Sequence, residues 1–185
     1  MLRRLVVLFA CLALFPALPA RADPADIDAA ARGVVRVIIV EKDGDQLVPV
    51  SHGTGFAVTP ERIVTNSHVV EQAKQDPNLY IGIVPSDGGE AVYGRLVSVS
   101  QRNDLALVAT TKAMHLPPLT ISGNPSTESG AVVAVGYPQN VDRAQGLNMA
   151  DLFRSQPPVE SNGSLAGRRP SREFDTLLHT APIAR

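Results

Sequence analysis

The sequence predicts an all-β protein, an antiparallel barrel or sandwich. Short β-branched runs recur at close spacing with turn residues between them, and no long helical segment intervenes. The 185 residues also include 14 Gly and 15 Pro, with Val and Thr in short runs, a composition that favours strands and turns over helices. With 44% apolar and 19% charged residues the chain is globular, neither disordered nor fibrous. Its length suits one ordinary domain, or one small domain and part of another.

The elements follow in order. Val34 to Val40 is β-branched and nearly all apolar. Thr54 to Val58 and Arg62 to Thr65 form a pair across Thr59-Pro60-Glu61, a tight-turn composition. Asn66 to Ala73 has room for one or two helical turns, with Ser67 as its N-cap. Leu79 to Val84 is a strand ending at Pro85, and Ser86-Asp87-Gly88-Gly89 is a turn. Ala91 to Val99 and Leu105 to Ala109 are strands, the latter with Leu105, Leu107 and Ala109 on one face. After Pro117-Pro118 a second group begins with Ala131 to Val135, leading into Gly136-Tyr137-Pro138. Residues 139–172 lose all periodicity and read as one long loop, with a basic, solvated cluster at Arg168, Arg169 and Arg172. Phe174 to His179 reads as a final strand.

Residues 1–22 are a different substance. Arg3 and Arg4 precede an apolar run from Leu5 to Leu18, which ends in Ala20-Arg21-Ala22. That order is a secretory signal, cut after Ala22. The run is too short for the ~20 residues of a membrane-spanning helix, and Pro16 breaks it. The expected location is therefore the periplasm or the exterior of a bacterium, with no membrane span after cleavage. Cys11, the only cysteine, leaves with the signal. The mature chain then has neither a disulfide nor a thiol nucleophile, which excludes cysteine-protease chemistry and Cys-based zinc sites. A formal net charge of −1, more negative once three arginines leave, and no basic stripe exclude a nucleic-acid binder.

Four histidines remain, and His68 has the telling setting. In Ile63-Val64-Thr65-Asn66-Ser67-His68-Val69-Val70 a β-branched strand ends at the imidazole and a helical turn follows. A titratable ring on rigid scaffold, open to a cleft, is where a general base belongs. Upstream, Gly53-Thr54-Gly55 lets a neighbouring backbone or a substrate approach closely. The imidazole needs an acidic partner to fix its tautomer. Asp104, heading the apolar strand Leu105 to Val108, is the candidate. His52 and His115 flank turns and read as solvated, and His179 as a loop or core residue. The four have no zinc-ligand spacing, so neither a metal nor a cofactor is implied.

Taken together, Gly53-Thr54-Gly55-Phe56, Thr65-Asn66-Ser67-His68-Val69-Val70 and Asp104-Leu105-Ala106-Leu107-Val108 resemble the first half of a chymotrypsin-fold, trypsin-like serine protease. The disulfide-free, exported form is similar to the bacterial Deg/HtrA-like and glutamyl-endopeptidase-like branches, and Gly136-Tyr137-Pro138 resembles the opening of the second barrel. The resemblance implies a six-stranded antiparallel N-terminal barrel over residues 23–120, carrying His68 and Asp104. Residues 121–185 would be the incomplete start of a second barrel, with the loop at 139–172. It also implies endopeptidase action on protein or peptide substrates through an acyl-enzyme, with His68 as base and Asp104 as its orienter.

The family's Gly-x-Ser-Gly-Gly nucleophile motif is absent from the 185 residues. Leu177 to Arg185 resembles the segment preceding that motif, so the expectation is a chain ending just before its nucleophile and inactive as it stands. Ser164 in Asn162-Gly163-Ser164-Leu165 is a poor substitute, because Leu165 would crowd an oxyanion loop. The Asn162-Gly163-Ser164 acceptor pattern carries no weight in a bacterium. The alternatives to a fragment of an active protease are a half-protease kept as a binding or regulatory module, and an unrelated exported β-barrel binder.

Overall fold

The computed structural model describes residues 23–122, 130–170 and 176–183. The signal expected over residues 1–22, together with Arg172 and the start of the expected last strand, lies outside them. A short helix that the strand-based reading had not anticipated comes first: α1, Pro24–Ala31. Asp23 caps it by accepting the Ala25 N–H at 2.9 Å, with Pro24 in the first turn.

Six strands follow: β1 (Val34–Asp43), β2 (Gln46–Thr59), β3 (Arg62–Thr65), β4 (Leu79–Pro85), β5 (Val92–Ser100) and β6 (Leu105–Thr110). They close a barrel in the order β1-β2-β3-β6-β5-β4, every pairing antiparallel. Inside it, Val35, Val37 and Ile39 of β1 meet Ala57, Ile63, Ile81, Ile83, Ala106 and Val108. Burying an aliphatic side chain of this kind contributes roughly 1.5–3 kcal/mol over leaving it exposed. Helix α2 (Ser67–Gln75) lies between β3 and β4 and adds Val70 to the same core.

β1 is buried on both faces, which is why Val34 to Val40 reads as an almost unbroken apolar run. Its outer face carries Ile38 and Val40, which pack with Val84 of β4 against Leu152 and Phe153 from the second half of the chain. Arg36 is the polar exception in that run, and only 2% of it is exposed.

The second half is a three-stranded antiparallel sheet of β7 (Ala131–Gly136), β8 (Val159–Arg169) and β9 (Thr176–His179), in that order. It is a partial second barrel. The stretch 139–172 is therefore not one long loop. It holds helix α3 (Gln139–Ala144), a 3₁₀ turn (Met149–Phe153) and β8. The 3₁₀ turn has a capping box in which Asn148 and Asp151 satisfy each other's backbone N–H groups. β8 alternates half-buried and exposed positions along small and polar side chains. Pairing with β7 on one edge and β9 on the other makes it a strand, and a weakly apolar sequence hides that cause. Sheet and barrel meet at Gly136, where a Cβ would lie 2.7 Å from Thr54 Oγ1.

Candidate active site

β3 ends at Thr65 and the chain turns directly into α2, so His68 emerges in the first turn of the helix. Gly53 makes room for this turn: a Cβ there would sit 2.7 Å from a Val69 methyl. The helix cap is Asn66, with extended backbone, and not Ser67 as its residue type suggested. The Ser67 hydroxyl is drawn elsewhere, donating to Asp104 Oδ1 at 2.8 Å. A hydrogen bond to a carboxylate is charge-assisted and among the stronger ones.

Asp104 stands between a 3₁₀ turn (Gln101–Asn103) and β6, in the left-handed backbone region at φ 51°. Aspartate tolerates that region better than most residues, and several contacts hold it there. Its carbonyl accepts the Ser67 N–H at 3.1 Å and the Asn66 side-chain amide at 3.0 Å. Its Oδ1 also accepts the His68 backbone N–H at 3.0 Å, and its Oδ2 lies 2.7 Å from His68 Nδ1. Partial burial pushes the Asp104 carboxyl up, but the hydrogen bonds from the His68 backbone, the Ser67 hydroxyl and the His68 ring outweigh it and hold the group below its ordinary value. A carboxylate can only accept, so in the neutral ring this contact calls for the proton on Nδ1 and leaves Nε2 its lone pair. The sequence named both residues; the structure brings their side chains together with 68% of His68 and 46% of Asp104 exposed.

His68 lines a cleft of about 1120 Å³ between barrel and second sheet. Glu71 and Gln75 of α2 form one side, Tyr137 and Gln139 another, and Pro182 reaches in from beyond β9. Ser164 is not among the cleft-lining residues; it occupies an exposed position of β8, opposite Ala131. His115 and His179 are exposed, the latter within β9. Among the described residues no three His, Cys, Asp or Glu side chains gather to hold a metal, and no helix is long and apolar enough to cross a membrane.

His52 is not solvated. Its side chain is 9% exposed, and its Nε2 is 2.7 Å from Asp142 Oδ2. The strand it belongs to begins at Gln46, not Thr54, so His52 sits in mid-strand under α3. Nothing in the turn-like residues around it signals this, because the cover comes from the stretch that lacked periodicity.

A closed six-stranded barrel, a histidine and aspartate joined at its mouth, and a second antiparallel sheet across the cleft define the trypsin-like fold. Residues 53–184 match the family model described as Trypsin-like peptidase domain, and the chain belongs to that family. It is also 30% identical over 121 residues to Serine protease Rv3671c of Mycobacterium tuberculosis (strain ATCC 25618 / H37Rv), covering 60% of this chain and 28% of that protein. Serine protease MT3772 of strain CDC 1551 / Oshkosh matches identically. The chain thus spans about 28% of the length of these relatives.

Proposed function

We propose that these residues form the base-and-orienter half of an exported serine endopeptidase site acting on proteins or peptides. The observation that carries this is the Asp104 carboxylate, which accepts from the Ser67 hydroxyl and the His68 backbone and lies 2.7 Å from His68 Nδ1. His68 Nε2 takes the proton of an attacking serine and later returns it to the leaving amine, and Asp104 stabilises the imidazolium formed between. The 185 residues contain no Gly-x-Ser-Gly-Gly, so on this reading they bring neither nucleophile nor oxyanion hole and form no acyl-enzyme by themselves. The basic, apolar and small-residue order of residues 1–22 supports export.

The test joins residues 1–185 to a segment bearing Gly-x-Ser-Gly-Gly and follows peptide cleavage and fluorophosphonate labelling. His68→Ala in that polypeptide should lower kcat by about 10⁴-fold or more. Near-normal cleavage by that variant would remove His68 from the mechanism.

A further inference from the structure

The second histidine–aspartate pair has no part in the reaction proposed above, yet it lies at the seam between barrel and second sheet. On the outer face of the barrel, Arg36 of β1 pairs in register with Thr54 of β2, and Ile38 with His52. The chain that leaves β7 covers this face with Tyr137, Pro138 and α3. The Arg36 guanidinium stacks over the Tyr137 ring, 4.5 Å from Cζ to the centroid. It also donates to Gln156 Oε1 at 3.2 Å and lies 3.6 Å from Asp142 Oδ1. Asp142 reaches His52 with its other oxygen. The backbones are tied as well: Gln139 Nε2 donates to the His52 carbonyl at 2.6 Å, and the Tyr137 N–H donates to Thr54 Oγ1 at 2.9 Å.

We infer that Arg36, His52 and Asp142 form a proton-sensitive latch that positions one wall of the active-site cleft, the segment Tyr137 to Ala144, against the barrel. The latch is closed with His52 neutral and is loosened when His52 takes up a proton. His52, Tyr137 and Gln139 all line the cleft that holds His68, so a change at the seam is a change in cleft shape.

The charges explain the direction. With His52 neutral, its Nε2 lies 2.7 Å from Asp142 Oδ2, and one carboxylate then balances one guanidinium. Protonation puts a second cation beside Arg36, with Arg143 of α3 nearby; Asp142 is the anion that faces His52, and Asp87 adds negative charge at the neighbouring Tyr137. On the solvent side, His68 and Glu71 of α2 line the same cleft from exposed positions. Burial pushes His52 below its ordinary value of 6.5 more strongly than Asp142 pulls it up. The Tyr137 phenol, which donates to the Gln156 carbonyl at 2.8 Å, is pushed up to about 12 by burial and stays protonated throughout. The open form, with His52 in water, therefore binds the proton first. Acid shifts the equilibrium toward it, and one proton limits the shift to about tenfold per pH unit.

The test uses the 185-residue protein, read by amide hydrogen exchange at Tyr137 and along α3, divided by intrinsic rates, from pH 7.5 to 5. Protection is expected to fall with pH, with the midpoint of the His52 ring titration measured by NMR and lying below 6.5. His52→Gln keeps a polar, uncharged side chain beside Asp142 and cannot titrate, so its protection should be flat over that range. Protection that is flat in the wild type, or falls equally in His52→Gln, overturns the latch. Should His52→Gln fail to fold, the wild type decides alone: a ring titrating at or above 6.5, or a midpoint unlike that of the exchange, overturns it.

Discussion

The molecule sets an imidazole beside a carboxylate twice. His68 with Asp104 and His52 with Asp142 both place an imidazole nitrogen 2.7 Å from a carboxylate oxygen. The first pair stands at the mouth of the barrel with its side chains 68% and 46% exposed, the second at the seam with 9% and 7%. Exposure gives His68 access to a substrate and to water, the conditions of a base that must gain and lose a proton in each cycle. Burial gives His52 the opposite character: its neutral form is favoured, and a proton added there works against the packing. The chemical pair is common to both; its surroundings separate a reacting group from a holding one.

The largest test of this contrast is Asp104→Asn in a polypeptide that also bears the nucleophile loop. The amide would stabilise the wrong tautomer of His68, and kcat should fall by about 10⁴-fold with the fold intact. Steady-state kinetics beside a denaturation curve checks both halves of that statement.

At the seam the effect should appear in stability. Asp142→Ala removes the carboxylate beside His52 and Arg36, leaving a guanidinium of which 2% is exposed without that counter-charge, though still bonded to Gln156. A loss of about 3–5 kcal/mol is expected in urea denaturation. Ser67→Ala is a smaller perturbation, because Asp104 Oδ1 keeps the His68 backbone N–H. About 0.5–1.5 kcal/mol should be lost, and the Asp104 carboxyl should titrate closer to its ordinary value.

The two pairs should also separate in acid. His52 has a lowered value in the folded chain, so its contribution is complete above 6.5 and is lost as pH falls below it. Asp104 is also lowered, so its contribution is complete above 3.8 and fades only below that. Stability measured from pH 8 to 3 should therefore decline in two steps, the seam first. A single step below pH 4 would contradict the order.

The barrel and the exposed pair were legible because local chemistry caused them. Thr59-Pro60-Glu61 makes a hairpin on its own terms, and a strand ending at His68 with an acid heading the next apolar strand is a pattern visible in one dimension. The seam was not legible, for reasons of the opposite kind. β8 is a strand because β7 and β9 flank it, and Arg36 and His52 contact α3 while Thr54 holds the Tyr137 that precedes it. Arg36 inside the Val34 to Val40 run was the one local anomaly: a charge in a strand buried on both faces requires a partner, and following it leads to Asp142 and then to His52. Ser67 was misread because its residue type suits a cap, whereas Asp104 comes within reach only after the barrel closes.

The central claim is that Asp104 fixes His68 as the Nδ1-protonated tautomer, leaving Nε2 to act as base. The direct measurement is the ¹⁵N spectrum of the His68 ring in the 185-residue protein at alkaline pH. The account predicts a protonated Nδ1 and an unprotonated Nε2 in the wild type, and loss of that preference in Asp104→Asn. A wild-type ring protonated on Nε2, or one indifferent to Asp104→Asn, would contradict it.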